Sequence, residues 1–206
     1  MLSTFDFSRN RMLEDIHGFV QSAVRSKLKF YNESTLQMEL ALFLRHKHAT
    51  LKIELERPIT SFGVAPETEG KKEIDICITD PNENRLAAIE IKMPLNGRVP
   101  ESMFDFCRDV RFCEWLVMSG GFKSAYALIL APKKAFREGR ETERIYSFFR
   151  NAGPLTGKIE KPTGARDRTI TIIGTYKKTD QRIARTKGIR KNRLLHHFIF
   201  KICFIL

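Results

Sequence analysis

Asp75 and Glu90 stand on either side of the turn formers Asp80-Pro81-Asn82-Glu83-Asn84, and Lys92 follows Glu90 by two positions. Residues 72–79 and 85–93 read as strands, so the turn makes a hairpin of them. With Asp80 set opposite Arg85, facing residues have numbers that sum to 165. Ile74, Ile76 and Ile78 then oppose Ile91, Ile89 and Ala87, an apolar face that must belong to the core. The other face sets Asp75 against Glu90, Glu73 against Lys92 and Cys77 against Ala88. Like charges directly opposed in a sheet are destabilising, with Cβ atoms only about 5 Å apart, so the carboxylate pair calls for a cation. Mg²⁺ suits such a pair: it takes oxygen ligands, typically one or two carboxylates, and keeps waters and a substrate phosphate. Mn²⁺ is the expected substitute. Lys92, on the same face, would orient or help deprotonate an attacking water and add positive charge where negative charge develops.

A third acid is expected from the preceding helix. Residues 33–47 carry Leu36, Leu40, Phe43 and Leu44 on one stripe, and Glu39 falls beside Phe43. A carboxylate turned toward a sheet must be paired, hydrated or bound to metal. Around these groups the periodicity predicts a helix over 7–28, a strand over 51–56, a helix over 101–118, an apolar strand over 125–131, a short helix over 138–150 and a strand over 169–176. The passage from 85 to 131 has the length of a parallel crossover. The expected fold class is therefore α/β, with a mixed sheet of four to five strands flanked by helices.

Asp75, then Glu90-Ile91-Lys92 on the next strand, within this order of elements, resembles the PD-(D/E)XK phosphodiesterase superfamily, the restriction-endonuclease-like nucleases. The resemblance covers about half the chain, roughly 35–131 with the strand after 169. It implies a restriction-endonuclease-like core and a metal-dependent endonuclease that hydrolyses phosphodiester bonds, with DNA as the expected substrate. Asp75, Glu90 and the backbone carbonyl of Ile91 would hold Mg²⁺, Lys92 would act on the nucleophilic water, and Glu39 would occupy the place of the helical Glu found upstream in many members. Ile74 replaces the Pro that precedes the first acid in the family's motif. The alternative is an inactive nucleic-acid-binding or structural module that keeps the fold. Cutting both strands of a duplex with one site per chain would favour a homodimer.

Other arrangements carry less. Ser119-Gly120-Gly121-Phe122-Lys123-Ser124 runs from helix into strand, the reverse of a phosphate loop. His46 and His48 are too close for a helical ligand pair and have no neighbouring cysteine, so they read as a polar helix end. Arg98, Arg108 and Arg111 read as solvent-exposed, with phosphate contact the functional alternative. Asp109 and Glu114 read as partners in helix ion pairs.

With 206 residues, 42% hydrophobic and sixteen of them Phe, the chain can bury a full core, which excludes disorder. The four cysteines form no close pair and no secretory leader is evident, so a reduced, cytoplasmic protein is expected. No run reaches the roughly twenty apolar residues needed to cross a bilayer, so no membrane partner is expected. Of the net charge of +12, +8 lies in residues 177–206 and only +4 in 1–176. The expected organisation is one domain over 1–176 and a basic, then apolar, tail that docks a short strand or helix on it.

Overall fold

A computed structural model describes residues 9–26, 28–65, 73–95, 98–131, 134–140, 143–151, 153–163, 168–177, 179–182 and 196–202. The chain opens with helices α1 (Arg9–Arg25) and α2 (Glu33–Lys47), followed by strands β1 (Lys52–Pro58), β2 (Glu73–Thr79) and β3 (Arg85–Lys92). Helix α3 (Val99–Met118), strand β4 (Ala125–Ala131) and the short helix α4 (Ile145–Arg150) come next. Strands β5 (Leu155–Glu160), β6 (Thr169–Tyr176), β7 (Thr179–Arg182) and β8 (His196–Ile202) complete the order. The main sheet has the order β1-β2-β3-β4-β8-β7, while β5 and β6 pair separately. β3 and β4 are parallel and the other pairs are antiparallel, so the sheet is mixed.

Six strands replace the four to five expected, because the segment after Tyr176 extends the sheet beyond β4. The strand over Thr169–Tyr176 does not join it; it pairs with β5, whose Leu-Thr-Gly-Lys-Ile-Glu sequence is too mixed to announce a strand. The helix expected over 138–150 shrinks to Ile145–Arg150.

Local chemistry sets the ends of the elements that matter most here. Asn32 caps α2, its Oδ1 accepting from Thr35 N at 2.8 Å, with Glu33 in the first turn and Arg45, His46 and Lys47 in the last, charges that suit the helix dipole. After α3 the chain reverses through Gly120 and Gly121, the latter at φ +74°. Arg85 pins this reversal by donating to Gly120 O at 2.6 Å and Phe62 O at 2.7 Å. On the outer strand β1, Arg45 of α2 donates from Nε (3.1 Å) and Nη2 (2.6 Å) to Ile53 O.

The sheet is buried on both faces. Met12, Ile16, Leu36, Leu40 and Leu44 of α1 and α2 cover Ile76, Ile78, Ala87, Ile89 and Ile91. Met103, Phe106, Cys107 and Val110 of α3 cover Cys77, Ala88, Ala127 and Ile129. Ile74 packs with this second group, not with Ile76, so the apolar face expected to run from Ile74 to Ile78 breaks at Asp75. His48, at the end of α2, meets the buried Asp15 of α1 through an Nε2–Oδ2 contact of 2.7 Å, and Lys47 pairs with the same carboxylate.

Candidate metal and hydrolytic site

The register of β2 with β3 matches the expected sum over Ile76↔Ile89, Cys77↔Ala88 and Ile78↔Ala87, with a bulge before Thr79↔Arg85. Its last pair on the other side is Ile76↔Ile89, so Asp75 and Glu90 are not opposed rungs of the ladder. Their carboxylates instead take up amides of the parting strands. Ile91 N donates to Asp75 Oδ2 at 2.7 Å, and Asp75 N donates to Glu90 Oε1 at 3.2 Å. Asp75 is 7% exposed and Glu90 fully buried. Charge-assisted bonds from main-chain N–H groups are what makes such burial tolerable.

Lys92 ends β3 two residues beyond Glu90, and its ammonium meets one acid from α2 and one from α3. Its Nζ lies 3.5 Å from Glu33 Oε1 and 3.8 Å from Asp109 Oδ2. Glu33 also accepts from Met93 N at 2.8 Å, through its second oxygen. One helical turn later, Gln37 Nε2 donates to Asp75 O and to Glu56 Oε1, both at 2.6 Å. The strands bring the two acids, and the helices hold what surrounds them.

Glu39 is not brought to the pair. It lies about 200° around α2 from Gln37, at 100° per residue, on the flank of Phe43, whose ring packs 5.5 Å from that of Phe19 on α1. Among the described residues, no group of three or more His, Cys, Asp or Glu side chains could hold a metal ion. The polar side chains of α2 that bond to Asp75 and to the end of β3 are Gln37 and Glu33, neither of them singled out by the sequence. The signal was present: positions 33 and 37 share a helix face with Leu36, Leu40 and Leu44. Asp109 on α3, expected to pair along its helix, lies 3.8 Å from Lys92 through Oδ2.

The remaining candidates are structural or exposed. Arg98 and Arg108 are exposed and lie 3.8 Å from Glu101 and Asp105, respectively, each one helical turn away. Glu114 is fully buried and accepts from Ile173 N (3.1 Å), Gly174 N (2.6 Å) and Tyr176 OH (2.8 Å), which ties α3 to β6. Cys77, Cys107 and Cys113 are buried thiols outside any disulfide. Burial pushes the Cys77 thiol up to about 12, with the Glu54 charge adding to it, so no thiolate chemistry is expected there.

The donor chemistry of Asp75 and Glu90 fits Mg²⁺. Both are hard oxygen donors on adjacent strands, and each accepts from a main-chain amide of the other strand. Two carboxylates with a nearby carbonyl are a typical protein share of an Mg²⁺ shell. Among the described residues, no helix is long and apolar enough to cross a membrane. Comparison with protein families, with curated proteins and with solved structures finds no match to this chain.

Proposed function

We propose that this chain is a Mg²⁺-dependent nuclease of the restriction-endonuclease-like kind, hydrolysing phosphodiester bonds in DNA. Asp75, Glu90 and the Ile91 carbonyl hold the cation and Lys92 acts beside the attacking water. The observation that carries this reading is the opening of the β2–β3 ladder at Asp75 and Glu90, where each carboxylate binds an amide of the other strand. The amide bonds make the burial of the two acids tolerable, and a shared cation would account for their meeting at a gap in the ladder.

The bound Mg²⁺ would supply Lewis acidity toward the phosphate and lower the pKa of water at the site. The chain's own residues do the rest. Asp75 and Glu90 are held to backbone amides, which limits their reorientation during the reaction. Lys92, 27% exposed in its side chain, faces the solvent side of the site, where it orients the water and stabilises negative charge building on the phosphate. Glu33 and Asp109 restrict the swing of the Lys92 ammonium from two sides.

The test is cleavage of plasmid and single-stranded DNA with Mg²⁺, with Mn²⁺ and with chelator. Cleavage should require the metal and fall by about a hundredfold or more in Asp75→Ala and Lys92→Ala. DNA binding without any metal-dependent cleavage would transfer the protein to the class of inactive binding modules. Neither binding nor cleavage would remove nucleic acid as its partner.

A further inference from the structure

Asp75 is held by its main chain in a way that its neighbours in β2 are not. The β1–β2 register passes from Leu55↔Ile76 to Arg57↔Ile74 over Glu56 and Asp75. On the other side the β2–β3 ladder stops at Ile76↔Ile89. At this gap the Asp75 N–H donates to Glu90 Oε1 at 3.2 Å, and the Asp75 carbonyl accepts from Gln37 Nε2 at 2.6 Å. Gln37 Nε2 also donates to Glu56 Oε1 at 2.6 Å. Glu56 has φ +51°, in the left-handed region that a non-glycine residue rarely adopts. Such a conformation persists only where the surroundings over-determine it, and Gln37 holds the carboxylate of this residue.

The two hydrogens of one amide nitrogen thus meet a carboxylate on the outer strand and the main-chain oxygen of a proposed ligand. The Asp75 carboxylate in turn accepts from Ile91 N at 2.7 Å. A continuous path of contacts runs from Glu56 through Gln37 and Asp75 to Ile91, the residue whose carbonyl completes the proposed donor set. Gln37 is 7% exposed, so water does not readily replace its bonds.

We propose that Gln37 is a positioning residue that fixes Asp75 at the gap in the sheet, by donating to the Asp75 carbonyl and the Glu56 carboxylate at once. The role needs two donors on one planar group. Glu at this position would set a carboxylate against two oxygens, and Leu would fill the volume with neither bond. The consequence for cleavage rests on the nuclease reading; the consequence for the strand does not.

The experiment compares the full chain with Gln37→Leu, Gln37→Asn and the exchange Gln37→Glu with Glu56→Gln. Amide hydrogen exchange is followed at Ile91, Cys77 and Ile89, with single-turnover DNA cleavage and thermal melting alongside. In Gln37→Leu, exchange at Ile91 should rise by about tenfold over that at Cys77 and Ile89. The maximal single-turnover rate should fall about tenfold with the half-saturating concentration unchanged, since the geometry of a bound ligand group is disturbed and not the grip on DNA. Should Gln37→Leu not fold, Gln37→Asn, whose fork is one methylene short, should show the same local pattern. The exchanged pair restores a hydrogen bond between α2 and β1 but leaves the Asp75 carbonyl against a carboxylate, so it should behave like Gln37→Leu. Recovery of wild-type exchange in that pair, or a rise at Ile91 matched by Cys77 and Ile89, would reduce Gln37 to a tether and overturn the proposal. If the wild-type chain cleaves nothing, the nuclease reading is lost, and the exchange measurements alone decide the role of Gln37.

Discussion

Glu114 has no contact with water, and three donors from β6 replace it: Ile173 N, Gly174 N and Tyr176 OH. Glu114→Ala strands all three, and should lower the free energy of unfolding by about 3 kcal/mol in urea titration. Arg108→Ala, which removes an exposed partner of Asp105 on the same helix, should change it by less than about 0.5 kcal/mol. Equal effects from the two would show that the Glu114 bonds are not what joins α3 to β6. Cys77 sets a dependence on alkaline pH. Burial raises its thiol from 9.0 to about 12, so the folded state holds that proton more tightly than the unfolded one. Its contribution is complete below 9.0 and is lost as pH climbs toward about 12. Tyr176, raised above 10.0 by burial and by the Glu114 carboxylate, adds to the same trend. Urea midpoints should therefore fall from about pH 8.5 to about pH 10.5, less steeply in Cys77→Ala than in wild type. At this scale residue type was legible and reach was not. Asp75, Glu90 and Lys92 stood out because like charges on one hairpin demand an explanation. Glu33 and Gln37 did not, because nothing in the local sequence says how closely α2 lies against β2 and β3.

Helix α2 carries both of those side chains in its first turns, so its N-terminal cap supports the site as well as the helix. Asn32→Ala removes the acceptor for Thr35 N and should cost about 1 kcal/mol, while Asn32→Asp should cost almost nothing. On the proposed nuclease reading, with Glu33 restraining Lys92, fraying of that turn should also slow DNA cleavage in Asn32→Ala by more than the stability loss explains, read at a temperature where both variants are fully folded. The span of α2 could be read from its spacing of Leu36, Leu40 and Leu44, and that of β4 from its unbroken apolar run, since each element has one dominant period. The hairpin register was read correctly only over its middle, from Ile76↔Ile89 to Ile78↔Ala87, and slips by one at the turn. A period of two assumes a flat ladder, and the ladder opens where the acids sit, which sends Ile74 to the face opposite Ile76. The strand β5 escaped because its pairing contains a shift at Gly157, φ +75°, and its side chains alternate poorly.

At the scale of the molecule, the sheet separates two cores, one under α1 and α2 and one under α3 with β5 and β6. The α/β class and the mixed strand directions were legible from the order of elements, whereas the neighbours of β4 were not. β4 is buried along its whole length, and β8 pairs with it at every position from Ala125↔Ile202 to Ala131↔His196. Ending the chain after Tyr176 removes that partner and bares the polar groups on one side of an apolar strand. Such a truncated protein should aggregate on expression, measured by light scattering against the full chain, and a soluble monomer of wild-type stability would show that β8 is dispensable. The opposite side of the sheet meets the same hazard with a different defence. There the Arg45 guanidinium sits on the outward carbonyl of Ile53, so a stray peptide seeking to anneal to β1 finds a cation in place of a vacant acceptor. Fibrillar growth from that border is discouraged by one side chain, and its replacement by a short neutral one would leave the border open to recruitment.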